Sequence, residues 1–196
     1  MFVELKYGNT NTWFFRDAGL LLDTDMAGTL PAFYKEIKKN SVYVSDIHYV
    51  LATHYHPDHI GLVSELMRSG TKLLLAEHQK EFVHFADKIF SRQPGLKYHP
   101  INEDEAIIFS CDESRHLLAG LGIEGEIVPV YSHSQDGIVL LLDDGCCFAG
   151  DLAPREYIDG YPDNDLLQDD WKRITAFEPR RIYYSHIQAS DCVSRE

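Results

Sequence analysis

Four potential metal ligands fall within six positions of the segment Thr53-His54-Tyr55-His56-Pro57-Asp58-His59. Side chains alternate along an extended chain, so His54 and His56 project to the same side and can grip one ion. Pro57 then turns the chain, and Asp58 and His59 leave in a new direction, a shape suited to two adjacent ions. Three imidazoles and a carboxylate this close would repel on protonation without a cation to organise them. Three further candidates each sit just past a strand-like run: His133 in Tyr131-Ser132-His133-Ser134-Gln135-Asp136-Gly137, Asp151 in Phe148-Ala149-Gly150-Asp151, and His186 after Ile182-Tyr183-Tyr184-Ser185. The carboxylate of Asp151 could bridge two cations.

The elements that position these residues follow from hydrophobic periodicity. Residues 2–23 read as short strands, because Val3, Leu5 and Tyr7 alternate with polar positions and Trp13-Phe14-Phe15 and Leu20-Leu21-Leu22 flank Asp17-Ala18-Gly19. Leu30, Phe33, Tyr34 and Ile37 recur with helical spacing, with Pro31 at the start and Lys38-Lys39 at the end. Ile47 to Thr53 predicts a buried strand, and Ile60, Val63 and Met67 one helix that stops at Gly70, so the histidine-rich segment lies on a strand-loop-helix unit. Lys72 to Ala76 predicts a strand, Gln79 to Ile89 a helix, and Gly95 to Glu105 a loop. Strand character returns at Ile107 to Phe109 and Ile127 to Val130, around a short helix near Arg115 to Ala119. Asp143-Asp144-Gly145 between apolar runs predicts a hairpin. A turn centred between Asp144 and Gly145 would set Asp151 opposite Ile138, near the turn that carries His133. Leu167, Trp171 and Ile174 mark a late helix ended by Pro179, followed by a strand from Arg181 to Ser185.

The 196 residues are 44% hydrophobic and 25% charged, the balance of a folded chain with a core, and the length fits one domain, residues 1–196. Eighteen Lys and Arg stand against 31 Asp and Glu, a formal net charge of −13 that opposes approach to nucleic acid or to an anionic membrane. The expected partner is therefore a small-molecule substrate; the composition sets no oligomeric state. The first residues have neither the basic nor the apolar region of a signal peptide, so a cytoplasmic location is expected. Cys111, Cys146, Cys147 and Cys192 lack C-x-x-C spacing and read as reduced packing residues.

In this order, the pieces resemble the metallo-β-lactamase superfamily, and the likeness covers nearly the whole chain. Asn9-Thr10-Asn11-Thr12-Trp13 resembles the family's early strand, Leu21-Leu22-Asp23-Thr24 its L-I-D-T-G segment, and Thr53 to His59 matches T-H-x-H-x-D-H in full. His133, Asp151 and His186 fall where the third, fourth and fifth motifs are expected. The resemblance implies an α/β fold, a four-layer αββα sandwich. It also implies one metal held by His54, His56 and His133, a second by Asp58, His59 and His186, and Asp151 bridging them, with Asp23 orienting a ligand. Zinc is the first choice for two divalent ions, with iron or manganese compatible with the oxygen ligands.

Hydrolysis of an ester-like bond (thioester, lactone or phosphoester) by metal-bound hydroxide is the implied chemistry, with Asp58 as the catalytic residue that orients the nucleophile and accepts a proton. Two alternatives use overlapping residues: a persulfide dioxygenase with one iron on the His54, His133 and Asp151 positions, and a non-catalytic metal- or ligand-binding protein. The sequence departs from the family pattern at Asp25, where glycine is usual, in His133-Ser134-Gln135-Asp136-Gly137, and in Ser185-His186-Ile187, where Gly-His-Gly is common. Tyr55, the loop from Leu152 to Asn164 with Arg155, Tyr157 and Tyr161, and the Lys97-Tyr98 segment are candidate pocket walls.

Overall fold

A computed structural model describes residues 1–192. Its elements are strands and helices in alternation, the mixed α/β class expected, with two sheets. The chain contacts group into two units, Met1–Ser110 and the part from Cys111 onward.

In the first unit a six-stranded sheet runs in sequence order: β1 (Phe2–Leu5), β2 (Thr12–Phe15), β3 (Leu20–Leu22), β4 (Tyr49–Leu51), β5 (Lys72–Ala76) and β6 (Ile107–Phe109). The first three strands form the predicted antiparallel meander, and β3 to β6 are parallel. Parallel neighbours need covering crossovers. Helix α1 (Leu30–Lys39) supplies one and buries Phe33 and Ile37 against the sheet residues Leu5, Phe14 and Leu21, while Tyr34 of the same stripe stays 42% exposed.

Two helical expectations in this unit need correction. The stretch from Ile60 to Met67 is not one helix but α2 (Pro57–Ile60) and α3 (Val63–Arg68). Gly61 packs so tightly that a Cβ there would lie 2.1 Å from the Ala27 backbone nitrogen. Next to it, the Leu62 N–H leaves the helical ladder and donates to Thr24 Oγ1 at 3.3 Å. Gln79 to Ile89 is likewise not one α-helix: a 3₁₀ stretch covers Glu77–Phe82, and α4 spans Asp87–Ser91. Tight bonds from Phe85 N–H to the Phe82 carbonyl (2.8 Å) and from Asp87 N–H to the His84 carbonyl (3.2 Å) close the turns between them. The helical spacing that misled survives in the burial, since Val83, Ala86 and Phe90 all face the core.

The second unit holds α5 (Ser114–Gly120), β7 (Gly125–Val130), β8 (Gly137–Leu142), β9 (Cys146–Phe148), α6 (Asp165–Thr175), β10 (Arg181–Tyr183) and β11 (Ser190–Asp191), with sheet order β11-β10-β9-β8-β7. Only the β9–β10 pair is parallel among these strands. The hairpin exists, but its register is one residue off the expected one: Leu140 pairs with Phe148 and Leu141 with Cys147. Three residues, not two, form the loop, because Gly145 takes the left-handed conformation (φ 88) and its N–H bonds the Leu142 carbonyl at 2.9 Å. Helix α6 closes this unit's core with Leu167, Trp171 and Ile174 against Val139, Cys147 and Ile182. Among the described residues no helix is long and apolar enough to cross a membrane.

Candidate metal centre

In the first unit the histidine-rich segment begins where β4 ends, and its conformation is fixed by buried polar partners. Asp23, directly after β3, adopts a left-handed backbone (φ 59) and is 1% exposed. Its carboxylate accepts the Thr53 N–H at 2.7 Å and the Thr53 hydroxyl at 2.9 and 3.0 Å, and it lies 3.1 Å from His59 Nδ1. A buried carboxylate held in place by several donors sets the tautomer of the imidazole it touches. With Nδ1 committed to Asp23, His59 presents Nε2, which lies 4.0 Å from Asp58 Oδ1. His54 Nε2 and His56 Nδ1 stand 3.0 Å apart, and the His54 ring also lies 4.0 Å, centroid to centroid, from that of His59.

The loop is anchored from below and from the side. Thr24 donates both its N–H and its hydroxyl to the His59 carbonyl, each at 2.9 Å. Thr10 donates its hydroxyl to the Asp58 carbonyl at 2.7 Å, and Asp25 accepts the Thr10 N–H at 2.9 Å. The aspartate that stands where the family has glycine therefore ties the early loop to the histidine-rich loop. Gly8 makes room for it, since a Cβ there would meet the Asp25 carboxylate at 2.0 Å. Gln79, fully buried, donates its amide to the Ala52 carbonyl at 3.1 Å and holds the strand end from which the segment leaves. Tyr55, expected at a pocket wall, is instead 1% exposed within the core, so that expectation is corrected.

In the second unit, strand register explains why distant residues meet. Phe148 pairs with Tyr183 across the parallel β9–β10 pair, so Asp151 and His186, each three residues farther on, emerge at the same sheet edge. His133 is likewise three residues past the end of β7, which pairs with β8 at Val130–Gly137. Asp151 Oδ1 lies 3.3 Å from His186 Nε2, and its Oδ2 lies 3.6 Å from His133 Nε2. The carboxylate thus turns one oxygen to each histidine. Asp170 of α6, a residue with no motif to announce it, sits at 0% exposure and accepts the N–H groups of Tyr131 (2.9 Å) and Ser132 (2.7 Å), immediately before His133.

The donor chemistry fits divalent cations. Two ligands about 2.0–2.1 Å from a tetrahedral zinc stand about 3.3 Å apart, and the pairs inside each unit lie at 3.0, 3.3, 3.6 and 4.0 Å. The cysteines do not compete. Burial pushes the Cys147 thiol well above its ordinary range, and burial followed by the Asp144 carboxylate pushes Cys146 up to about 11, so neither is a thiolate at neutral pH. All four cysteines are free thiols. Tyr157 and Tyr161 are exposed, as a loop wall would be, whereas Tyr98 stacks on Phe90 at 4.2 Å and donates to Asp87 at 2.8 Å.

Comparison with known proteins gives the class. The family model of the metallo-beta-lactamase superfamily matches residues 5–186 and so runs through both units. The chain belongs to that superfamily. A curated relative, the lactamase-like protein nscB of Trichophyton rubrum, is 30% identical over 144 residues, 72% of this chain. The chain spans less than half the length of the curated relatives it matches, 38% of that one and 44% of a beta-lactamase-like protein 2 homolog of Drosophila melanogaster. Among solved structures, a metallo-beta-lactamase family protein from Thermus thermophilus superposes with a TM-score of 0.73 at 18% identity, covering 97% of this chain and 74% of that one. TTHA1623, solved in a di-iron-bound form, superposes with a TM-score of 0.68 at 20% identity, covering 97% and 94%. These likenesses establish the metallo-β-lactamase fold.

Proposed function

We propose that the protein is a binuclear metal-dependent hydrolase of an ester-like bond in a small molecule. The observation that carries this reading is the Asp151 carboxylate with one oxygen turned to His133 and the other to His186, the posture a bridging ligand needs. Membership of a superfamily of metallohydrolases supports it. Following the order of the family's motifs, His54, His56 and His133 would hold one ion, Asp58, His59 and His186 the second, and Asp151 both. Zinc suits the imidazole-rich set, and the relative solved with two irons supports testing iron as well.

Divalent ions, when bound, supply Lewis acidity and a nucleophile at neutral pH by lowering the pKa of water from about 15.7 towards about 7. The chain's own residues do the rest. Asp58, half-buried at the start of α2, accepts a proton at a carboxylate oxygen and orients the attacking group. Asp23 keeps His59 in the tautomer that presents Nε2, and Thr10 fixes the backbone from which Asp58 projects.

Elemental analysis of protein purified without added metal, then saturated with zinc, should give close to two ions per chain. No more than one ion at saturation would overturn the binuclear reading. A screen of ester, thioester, lactone and phosphoester substrates with zinc, iron and manganese then tests the chemistry; oxygen consumption with a single iron and no hydrolysis would replace it with persulfide oxidation.

A further inference from the structure

Away from the cavity of about 180 Å³ that His133, Asp151 and His186 line in the second unit, the first unit holds a polar cluster that the proposed chemistry does not use. His84, in the turn between the 3₁₀ stretch Glu77–Phe82 and α4, is flanked by two carboxylates. Its Nδ1 lies 2.8 Å from Asp87 Oδ2 on α4, and its Nε2 lies 3.0 Å from Glu103 Oε2 on a 3₁₀ turn, Glu103–Glu105, that leads into β6. A neutral imidazole carries one N–H and can donate to only one of them; donating to both takes the imidazolium. Nineteen positions separate His84 from Glu103, so the pair closes the base of the loop 92–102. Residues 92–95, 97, 99 and 100 of that loop are exposed, while Tyr98 donates its hydroxyl to Asp87 Oδ1 at 2.8 Å and Ile101 is buried. The cluster borders the candidate metal centre, since Phe85, next in sequence to His84, has its ring 5.7 Å from that of His56.

We propose that His84 is a proton-operated latch: charged, it straps the base of the loop 92–102 to α4, and neutral, it lets Glu103 go. The neutral ring keeps its remaining proton on Nδ1, because Asp87 lies three residues on in the same turn and stays within reach whatever the loop does. The Nε2 lone pair then faces the Glu103 carboxylate, acceptor against acceptor, and that contact opens. The charged and titratable groups around the ring are Asp87 of α4, which Tyr98 also engages, Glu103 of the 3₁₀ turn, and Lys80 of the preceding 3₁₀ stretch, which acts on Glu103 at longer range. Partial burial opposes the charge on His84, but the bonds to Glu103 and Asp87 outweigh it and raise the pKa above the ordinary 6.5. The latch is therefore shut below that value and opens as the pH rises through the raised one. It takes no part in turnover and sets how firmly the loop is held.

The test is hydrogen–deuterium exchange of the zinc-loaded full chain, read by mass spectrometry as protection factors for peptides within residues 92–105 and for control peptides from β1 to β3. An exposed charged pair is worth about two- to fivefold in an opening equilibrium. Loop protection in the parent should fall by that factor as the pH is raised from just below 6.5 to well above it, with the controls unmoved. His84→Ala should show the low protection at every pH. Glu103→Gln separates a latch from a mere contact, because a carboxamide accepts from the imidazolium and donates to the neutral ring; its loop should stay protected across the whole range. The readout needs no substrate, so it does not depend on the hydrolase reading. Parent protection that ignores pH, a His84→Ala loop as protected as the parent's at the low end, a Glu103→Gln loop that still loses protection, or an equal loss in the control peptides would overturn the proposal.

Discussion

Replacing Asp170 with alanine should loosen the segment that carries His133, acting through the backbone of the two residues before it. The Asp170 carboxylate is fully buried on α6 and accepts two backbone N–H groups, those of Tyr131 and Ser132. It also lies 3.4 Å from Arg173, whose guanidinium donates to the Pro129 carbonyl at 2.7 Å and stacks over the Tyr131 ring. Hydrogen bonds to a charged acceptor are worth about 1.5–3 kcal/mol each, and an orphaned buried donor forfeits about 1–3 kcal/mol. The Tyr131 and Ser132 amides are only part-buried and water can reach them once the carboxylate is gone, which keeps the combined loss near ~3 kcal/mol. In a chain of this length that corresponds to a fall in Tm of about 6–12 °C. Asp170→Asn keeps one acceptor in place and should lose about half as much. Urea unfolding followed by tryptophan fluorescence is the assay of choice, because Trp171 is adjacent in sequence, 1% exposed, and bonded through its indole N–H to the Ala153 carbonyl at 2.9 Å. A loss below about 0.5 kcal/mol in Asp170→Ala would refute the claim that this carboxylate holds the loop.

Other outcomes are expected on the same reasoning. Asp58→Ala should fold and retain an ion on the histidines yet lose hydrolysis by about 10²–10⁴-fold, as paired measurements of metal content and turnover would reveal; near-normal turnover would remove Asp58 from the chemistry. Asp23→Asn should weaken metal affinity by about 10–100-fold, since the carboxylate that orients His59 is lost, and competition with a chelator measures this. Gly61→Ala should fail to accumulate as folded protein, the new Cβ having the Ala27 backbone in its way; a normal unfolding curve would contradict the packing. Partial burial works against the charge on His84, but bonds to Glu103 (3.0 Å) and Asp87 (2.8 Å) prevail and raise its pKa. Its contribution to stability is then complete below the unfolded value near 6.5 and lost as pH rises through the folded one. The stability gap between the parent and His84→Gln should accordingly be widest below pH 6.5 and shrink as the pH rises above it, and a gap that widens would reverse the assignment.

What the sequence discloses depends on how far apart the partners lie. His54, His56, Asp58 and His59 are legible because six consecutive positions carry the whole pattern, and β1 to β3 because the alternation at Val3 and Leu5 and the unbroken apolar runs Trp13-Phe14-Phe15 and Leu20-Leu21-Leu22 are properties of neighbours. The hairpin is legible in kind but not in register: an Asp-Gly step suggests a two-residue turn, and only the left-handed φ of Gly145 reveals the third loop residue. The helix break at Gly61 depends on Thr24 and Ala27, more than 30 positions earlier, so local periodicity runs straight through it. Asp170 and Gln79 carry no signal at all. Each is a polar residue in a helical stretch that would pass for solvent-facing, and each acquires its role from backbone groups 26 to 39 positions away.

His133, Asp151 and His186 each stand three residues beyond the last residue of a strand. The sheet therefore acts as a ruler, and the chain beyond each of these residues is free to vary in length without moving the zero mark. Lengthening the segment between Asp151 and α6, or the turn between His186 and β11, would redraw the rim of the cavity while leaving the spacing of the three donors to strand pairing. Removing a single residue between Phe148 and Asp151 would do the opposite, drawing the carboxylate off its three-residue distance from β9. Variation in substrate should thus be tolerated as insertions after the donors and forbidden as indels before them, a polarity that a library of length variants on either side of Asp151 would expose.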